Sequence, residues 1–239
     1  LGVELPDVVT NTEFEAIAKS GKITRPSDGK EAQSVVFIQS PGKEDDKDFP
    51  YTGAVTSLVA LKQARYVRED FPDSGKAFIF YQHMRTVGLT ENFYKSIQQD
   101  PGIFLTKGEV VGVSKNGAGL LVDARNTLLG ENVKVKADLV VLGTGLVPAT
   151  KNDPVINLAY RQGPSFRDNI DLFKGYCDSN FICSPYETQR TGIYAAGAIR
   201  RSMTVEESIE DASGAALKAI QCLESVNRGM AVHPRSGDL

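Results

Sequence analysis

The sequence is poor in the residues on which the commonest soluble chemistries rest. It has no tryptophan and, in 239 residues, only three cysteines and two histidines. His83 and His233 stand far apart along the chain, so metal binding and serine–histidine catalysis have few candidate ligands or bases. Cys177, Cys183 and Cys222 form neither a CxxC pair nor a spacing used for zinc or an iron–sulfur cluster, and their small number suits a reducing cytosol. No apolar run approaches the ~20 residues of a membrane span; a stretch such as residues 139–142 is typical. There is no excess of one charge either. With 27 basic against 30 acidic side chains, a net charge of -3 and no basic cluster to neutralise phosphates, nucleic acid is excluded as an expected partner. The chain opens on Leu1-Gly-Val-Glu-Leu-Pro6, without an initiator methionine or a signal-peptide pattern, and so reads as a piece of a longer protein.

What is present is an ordinary globular composition, 41% hydrophobic and 24% charged, long enough for two domains of about 100 residues each. Residues 12–19 carry Phe14, Ile17 and Ala18 at helical spacing behind the possible caps Thr10 and Asn11. Residues 34–40 are β-branched and aromatic and read as a buried strand. The charge run at residues 43–48 reads as a solvated loop. A helix with one broad apolar face follows at residues 54–68, then a strand at 77–81 and a helix at 92–98. Strand–helix–strand–helix order favours a parallel sheet. Residues 102–113, 119–126 and 133–137 carry β-formers separated by the turn signals Asn116-Gly117 and Leu129-Gly130, which predicts a small meander. Residues 138–148 then read as a buried strand running into a glycine turn, and 151–190 as an irregular crossover broken by proline and glycine.

The strongest local signal comes last. Residues 191–198 read as a strand ending in a tight turn at Gly197, followed by a helix at 205–226 whose stripe is Val205, Ile209, Ala212, Ala216, Ala219, Ile220 and Leu223. Thr204 and Glu207 form a capping-box signature. A strand that enters a helix N-terminus through Ala195, Ala196, Gly197 and Ala198 presents free N–H groups and the positive end of the helix dipole, which suits an anion or an electron-rich cofactor edge. Tight packing alone would explain the same small residues. Arg200 and Arg201 beside that helix end are either anion-binding or solvated, and Glu206, Glu207, Glu210 and Asp211 offset their charge. Cys177 and Cys183, with five residues between them and so beyond a redox spacing, read as packing or surface thiols, Cys222 as a core residue, and His83 as a surface or hydrogen-bonded histidine.

Thr191-Gly-Ile-Tyr-Ala-Ala-Gly197 and Ser208-Ile-Glu-Asp-Ala-Ser-Gly-Ala-Ala216 resemble the last flavin motif of the two-dinucleotide-domain flavoproteins. More narrowly, with Arg25-Pro-Ser-Asp-Gly-Lys30, Val36-Phe-Ile-Gln39, Ala60-Leu-Lys-Gln-Ala64, Phe78-Ile-Phe-Tyr81 and Asp138-Leu-Val-Val-Leu142 in the same order, nearly the whole chain resembles the A subunit of heterodisulfide reductase. Within that group it is most similar to the heterodisulfide-reductase-like subunits of the quinone-interacting membrane-bound oxidoreductase complex, the B type favoured over the A type.

The resemblance implies an α/β fold in which a Rossmann-like domain is inserted in a split FAD-binding domain, as in thioredoxin reductases and other disulfide reductases. Residues 1–32 would be the end of the first flavin-domain segment and a linker, 33–149 the Rossmann-like insertion without a nucleotide fingerprint, and 150–239 the carboxyl-terminal half of the flavin domain. It implies electron transfer in sulfate respiration, with adenylylsulfate reductase and membrane-associated subunits as partners and a cytoplasmic site, peripheral to the inner membrane. Gly197, Ala198, Glu206, Glu207 and Ser208 would contact FAD, and no residue is nominated as acid, base or nucleophile. Departures matter as well. The cluster cysteines of the heterodisulfide reductase A subunit correspond to Ser40, Thr52, Thr56 and Ser57, and neutral hydroxyls do not replace thiolates, so iron–sulfur clusters are expected only outside this chain. The turn after Ile38 has one glycine, a proline and three acids in place of a nucleotide fingerprint. The aspartate that would hold the ribityl chain is Ala198, and the first FAD fingerprint would precede Leu1, so these residues alone are expected to hold FAD weakly or not at all. Two other readings stand beside this one: a self-contained NAD(P)H-dependent flavin disulfide reductase, and a flavin-free scaffold.

Overall fold

Five β-rich runs lie parallel in the computed structural model, which describes residues 1–39, 53–146, 186 and 192–230. The chain divides into two compact units, Leu1–Gly145 and Leu146–Leu239. In the first, β1 (Val8–Thr10), β2 (Ser34–Ile38), β3 (Lys76–Tyr81), β4 (Ile103–Asn116), β5 (Gly119–Asn126), β6 (Asn132–Ala137) and β7 (Leu139–Leu142) form one sheet of order β1-β7-β2-β3-β4-β5-β6. The pairs β1/β7, β7/β2, β2/β3 and β3/β4 are parallel. The meander expected at the far edge is there as the antiparallel pairs β4/β5 and β5/β6, with Gly117 at positive φ in the turn that joins the first two.

Helices α1 (Asn11–Lys19), α2 (Ala54–Asp70) and α3 (Thr90–Gln98) connect these strands. Thr10 caps α1 in a reciprocal box with Glu13, settling the choice between Thr10 and Asn11. One face of the sheet buries Val35, Phe37, Ala77, Ile79, Leu139 and Val141 under Leu61, Ala64 and Val67 of α2 and Phe14 of α1. Phe14 and Phe37 meet edge to face at 5.4 Å. The other face buries Val36, Ile38, Phe80, Val140 and Leu142 against Leu120, Val122, Ala124, Val135 and Ala137 of the meander. Complete burial on both faces explains why β2 and β7 read as unbroken apolar runs rather than alternating ones.

One feature differs from expectation. Residues 8–10 form a strand: three residues give no readable period, and it is the register Val8↔Val140 to Thr10↔Leu142 that makes them one. Residues 1–32 share a sheet and a core with the described residues of 33–145. The break between 133–137 and 138–148 falls where the sequence places it, at Asp138, whose Oδ2 accepts the N–H groups of Gln33 (3.0 Å) and Ser34 (2.9 Å) and so pins the start of β2 beside the β6–β7 step.

In the second unit, residues 191–198 do not continue as a strand among the described residues. Tyr194 makes a single bridge, Ala196 is extended, and Gly197–Ile199 turn into a short 3-10 segment. Gly197 has φ +76, a left-handed value that bends the chain out of any strand and favours glycine. Helix α4 (Val205–Asn227) follows. The expected apolar stripe faces solvent, with Ile209 63% and Leu223 64% exposed, while Asp211 and Ala215 are the buried positions. Cys222 is half-buried rather than core. The charge run at 43–48, together with Ser40, Thr52, Cys177, Cys183 and His233, lies outside the described residues.

Candidate functional site

The turn at Gly197 and the start of α4 come together as the sequence suggests. Ser208 is the side chain nearest Gly197, 3.7 Å from the place a Cβ would occupy there. Ala198 and Glu206 are exposed, Glu207 and Ser208 half-buried, and Gly197 buried. Thr204 caps the helix: its Oγ1 accepts the Glu207 N–H at 3.2 Å, and its own N–H donates to Glu207 Oε2 at 2.8 Å. Ser208 turns inward, its N–H and its Oγ both donating to the Thr204 carbonyl. The N–H groups of Glu207 and Ser208 are thus spent inside the cap. Those of Ala198, Val205 and Glu206 have no acceptor among the described residues, and they are what the turn and the first turn of the helix offer a ligand.

An acid not singled out as a site residue builds this geometry. Asp211, two turns into α4 and 9% exposed, accepts the Gly197 N–H on Oδ2 at 2.7 Å and pairs through Oδ1 with Nη1 of Arg200. Arg200 is 4% exposed, and its guanidinium lies 4.4 Å from the centre of the Tyr186 ring. Arg200 is therefore neither solvated nor available to a ligand; it is the counter-charge that lets Asp211 be buried while holding the turn. Tyr186 in turn packs where Gly214 has no side chain, since a Cβ there would run into its hydroxyl. Exposed Arg201 lies 3.6 Å from Glu207 and offsets part of the acid at the helix start. The one sequence signal for Asp211 was an acid among small residues seven positions past the cap; for Tyr186 there was none.

A second polar cluster lies in the first unit, at the carboxyl ends of β2 and β3. Gln39 Nε2 donates to Ser57 Oγ (2.5 Å) and to the His83 carbonyl (3.0 Å). Ser57 Oγ also accepts the Arg85 N–H (3.1 Å) and donates to the Gly53 carbonyl (3.2 Å). Thr56 and Ser57 are both buried in the first turn of α2, which has no side-chain cap and no acid. This is the switch point of the parallel order, where ligands of open α/β sheets bind. Here the polar groups are turned on one another, leaving Gln39 Oε1 as a buried acceptor without a partner among the described residues. Among the described residues no group of histidine, cysteine and carboxylate could hold a metal ion, and no helix is long and apolar enough to cross a membrane.

No family model matches the chain. It is similar to the second of the CoB–CoM heterodisulfide reductase iron–sulfur A subunits of Methanopyrus kandleri, 30% identical over 226 residues, which are 91% of this chain and 33% of that protein. It is 31% identical over 219 residues to the CoB–CoM heterodisulfide reductase iron–sulfur A subunit of Methanocaldococcus jannaschii, 88% of this chain and 32% of that protein. The chain spans about one third of the length of these curated relatives. Among solved structures it resembles the thioredoxin reductase of T. acidophilum, with a TM-score of 0.51 and 16% identity over 90% of this chain and 57% of that one. The Lactococcus lactis thioredoxin reductase gives a TM-score of 0.52 and 14% identity over 90% and 61%. The fold is the Rossmann-like α/β fold of thioredoxin reductases, and over nine-tenths of its length the chain is like the A subunit of heterodisulfide reductases.

Proposed function

We propose that the chain is part of an FAD-linked electron-transfer subunit of an anaerobic respiratory complex. The supporting likeness is to the A subunits of heterodisulfide reductases. The finer assignment is the B-type heterodisulfide-reductase-like subunit of a complex that exchanges electrons between the quinone pool and adenylylsulfate reductase in sulfate respiration. The protein would sit on the cytoplasmic side of the membrane through its partners, with iron–sulfur clusters carried outside these residues. In this reading residues 150–239 supply half of the flavin domain, with Gly197, Ala198, Glu206, Glu207 and Ser208 nearest the cofactor.

The observation that carries the proposal is the left-handed Gly197 turn beside a capped helix end whose Val205 and Glu206 N–H groups are unclaimed among the described residues. These residues fit a flavin edge: the side chains at the turn are small, the donors are backbone, and Asp211 fixes the turn from behind. Bound FAD would supply electron exchange with neighbouring centres. What this chain's residues do is orient the cofactor's polar edge at the positive end of α4 and keep the Gly197 turn from moving.

The test is an FAD titration, followed by flavin fluorescence and absorption, of this chain beside a chain extended upstream. Binding by the extended chain only is the expected result, with roughly a tenfold loss on Gly197→Val, where a branched side chain meets a positive φ. A second reading, a flavin-free scaffold in the same complex, is favoured by two observations. Ala198 offers no side-chain acceptor, and the Gly197 N–H is already taken by Asp211. Absence of flavin from both chains would establish it and sink the first.

A further inference from the structure

A groove of about 460 Å³ opens on the meander face of the first unit, far along the strands from the switch point. Its lining includes Lys76 at the start of β3, Lys134 and Lys136 on β6, Ser34 at the start of β2, Phe78 and Asp138. The cause is local. β5 and β6 cover β2, β7 and Phe80 of β3 on this face, but Phe78, nearer the start of β3, is only half-covered. Phe78 stacks on Phe104 of β4 with ring centres 4.8 Å apart, and Phe104 remains 42% exposed.

Two things distinguish this groove from an ordinary solvated surface. It has the opposite sign to the chain: three lysines line it against one carboxylate, on a protein of net charge -3. That carboxylate, Asp138, has Oδ2 committed to two backbone N–H groups, and among the described residues the only ion pair made by these lysines is Lys134 with Asp123 at 3.2 Å. It is also pre-formed, because the Ser34 hydroxyl donates to the Lys136 carbonyl at 3.0 Å and ties β2 to β6. A positive rim around half-covered Phe78, with exposed Phe104 stacked beside it, matches carboxylates placed on either side of an apolar side chain. The lysines are separate point charges on strands, with no arginine fork and no helix N-terminus among them, an arrangement that suits dispersed carboxylates better than one phosphate.

We propose that this groove docks an acidic segment of a partner protein, with an aromatic or long aliphatic side chain on the Phe78–Phe104 stack and flanking carboxylates on Lys76, Lys134 and Lys136. The site lies wholly within the first unit and does not depend on the flavin reading. To test it, a displayed library of random peptides is selected on the full-length protein, with counter-selection on the Lys76→Gln/Lys134→Gln/Lys136→Gln variant. Enrichment of peptides with Asp or Glu around Phe, Tyr or Leu is expected. A selected peptide should lose roughly tenfold in affinity on the triple variant and on raising salt from about 50 to about 500 mM, and about threefold on Phe104→Ser. Circular dichroism should show the variants folded, since all four side chains are exposed. No enrichment, enrichment of peptides without acids, or affinity indifferent to the triple variant overturns the proposal. So does equal capture of phosphatidylserine vesicles or inorganic phosphate, which would make the patch a general anion surface.

Discussion

The described residues of the two units are held by different physics. In residues 1–145 the sheet is sealed on both faces by side chains such as Phe14, Phe37, Leu61 and Val122, each under 2% exposed. In residues 192–230 only Ala195, Met203 and Ala215 are buried apolar residues, and the turn is held by Asp211, Arg200 and the capping box. Apolar burial is non-directional and stabilises in proportion to area, whereas an ion pair behind a turn fixes a geometry at a small net gain. Removing a core side chain should therefore act on the first unit alone. Phe37→Ala takes a ring from between α1 and the sheet and should cost about 3–5 kcal/mol. Urea unfolding should show the loss in the first unit, with amide exchange at residues 197–215 unchanged; a matching loss in both would erase the distinction.

The converse experiment is Asp211→Ala. It removes the carboxylate beside buried Arg200 and frees the Gly197 N–H, so the described part of the second unit should lose about 3 kcal/mol of local stability. Hydrogen exchange at residues 197–215 reads this directly, and the first unit should not move. Asp211→Asn keeps an acceptor for Gly197 but not the charge, and should fall between. If both variants exchange like the parent, the ion pair is not what holds the turn. A smaller effect is expected from Thr204→Ala, which deletes one half of the capping box and should cost about 1 kcal/mol at the start of α4.

How far the sequence foretold this follows the same divide. The strands and helices of the first unit were readable because their burial is periodic or complete: α2 shows its apolar face in Ala60, Leu61, Ala64 and Val67, and β2 and β7 are apolar throughout. Only β1 escaped, since three residues carry no period and acquire strand identity from β7. In the second unit the capping box was legible because Thr204 and Glu207 are local. The partnership of Asp211 with Arg200 and Gly197 was not, because it depends on the path of the turn. The stripe on α4 was correctly seen as apolar, yet the helix buries the face carrying Asp211 and Ala215. A helical period shows which residues share a face; it does not show which face is covered.

The smallest expected effect is one of pH, and it tests whether one partly exposed ion pair contributes to the first unit. Partial burial works against ionisation of Glu15, but hydrogen bonds from Gln63 (3.2 Å) and Lys62 (3.0 Å) and the charges of Lys62 and Lys19 outweigh it and hold its pKa below 4.5. Burial likewise opposes the charged form of Lys62, and Glu15 reverses that, holding the lysine above 10.5. A carboxylate whose native pKa is depressed stabilises the fold above its unfolded pKa, and that contribution disappears as pH falls through the native value. A lysine with a raised native pKa stabilises below its unfolded pKa, and the benefit is lost as pH rises through the native value. The Glu15–Lys62 pair should therefore stabilise α1 against α2 between roughly pH 5 and pH 10, by no more than about 1 kcal/mol because both side chains are partly exposed. Comparing the parent with Glu15→Gln in urea at pH 7 and pH 4 isolates the pair: the difference between the two proteins should shrink at the lower pH. A difference that does not change with pH would assign the whole effect of Glu15 to packing and to hydrogen bonds that do not need its charge.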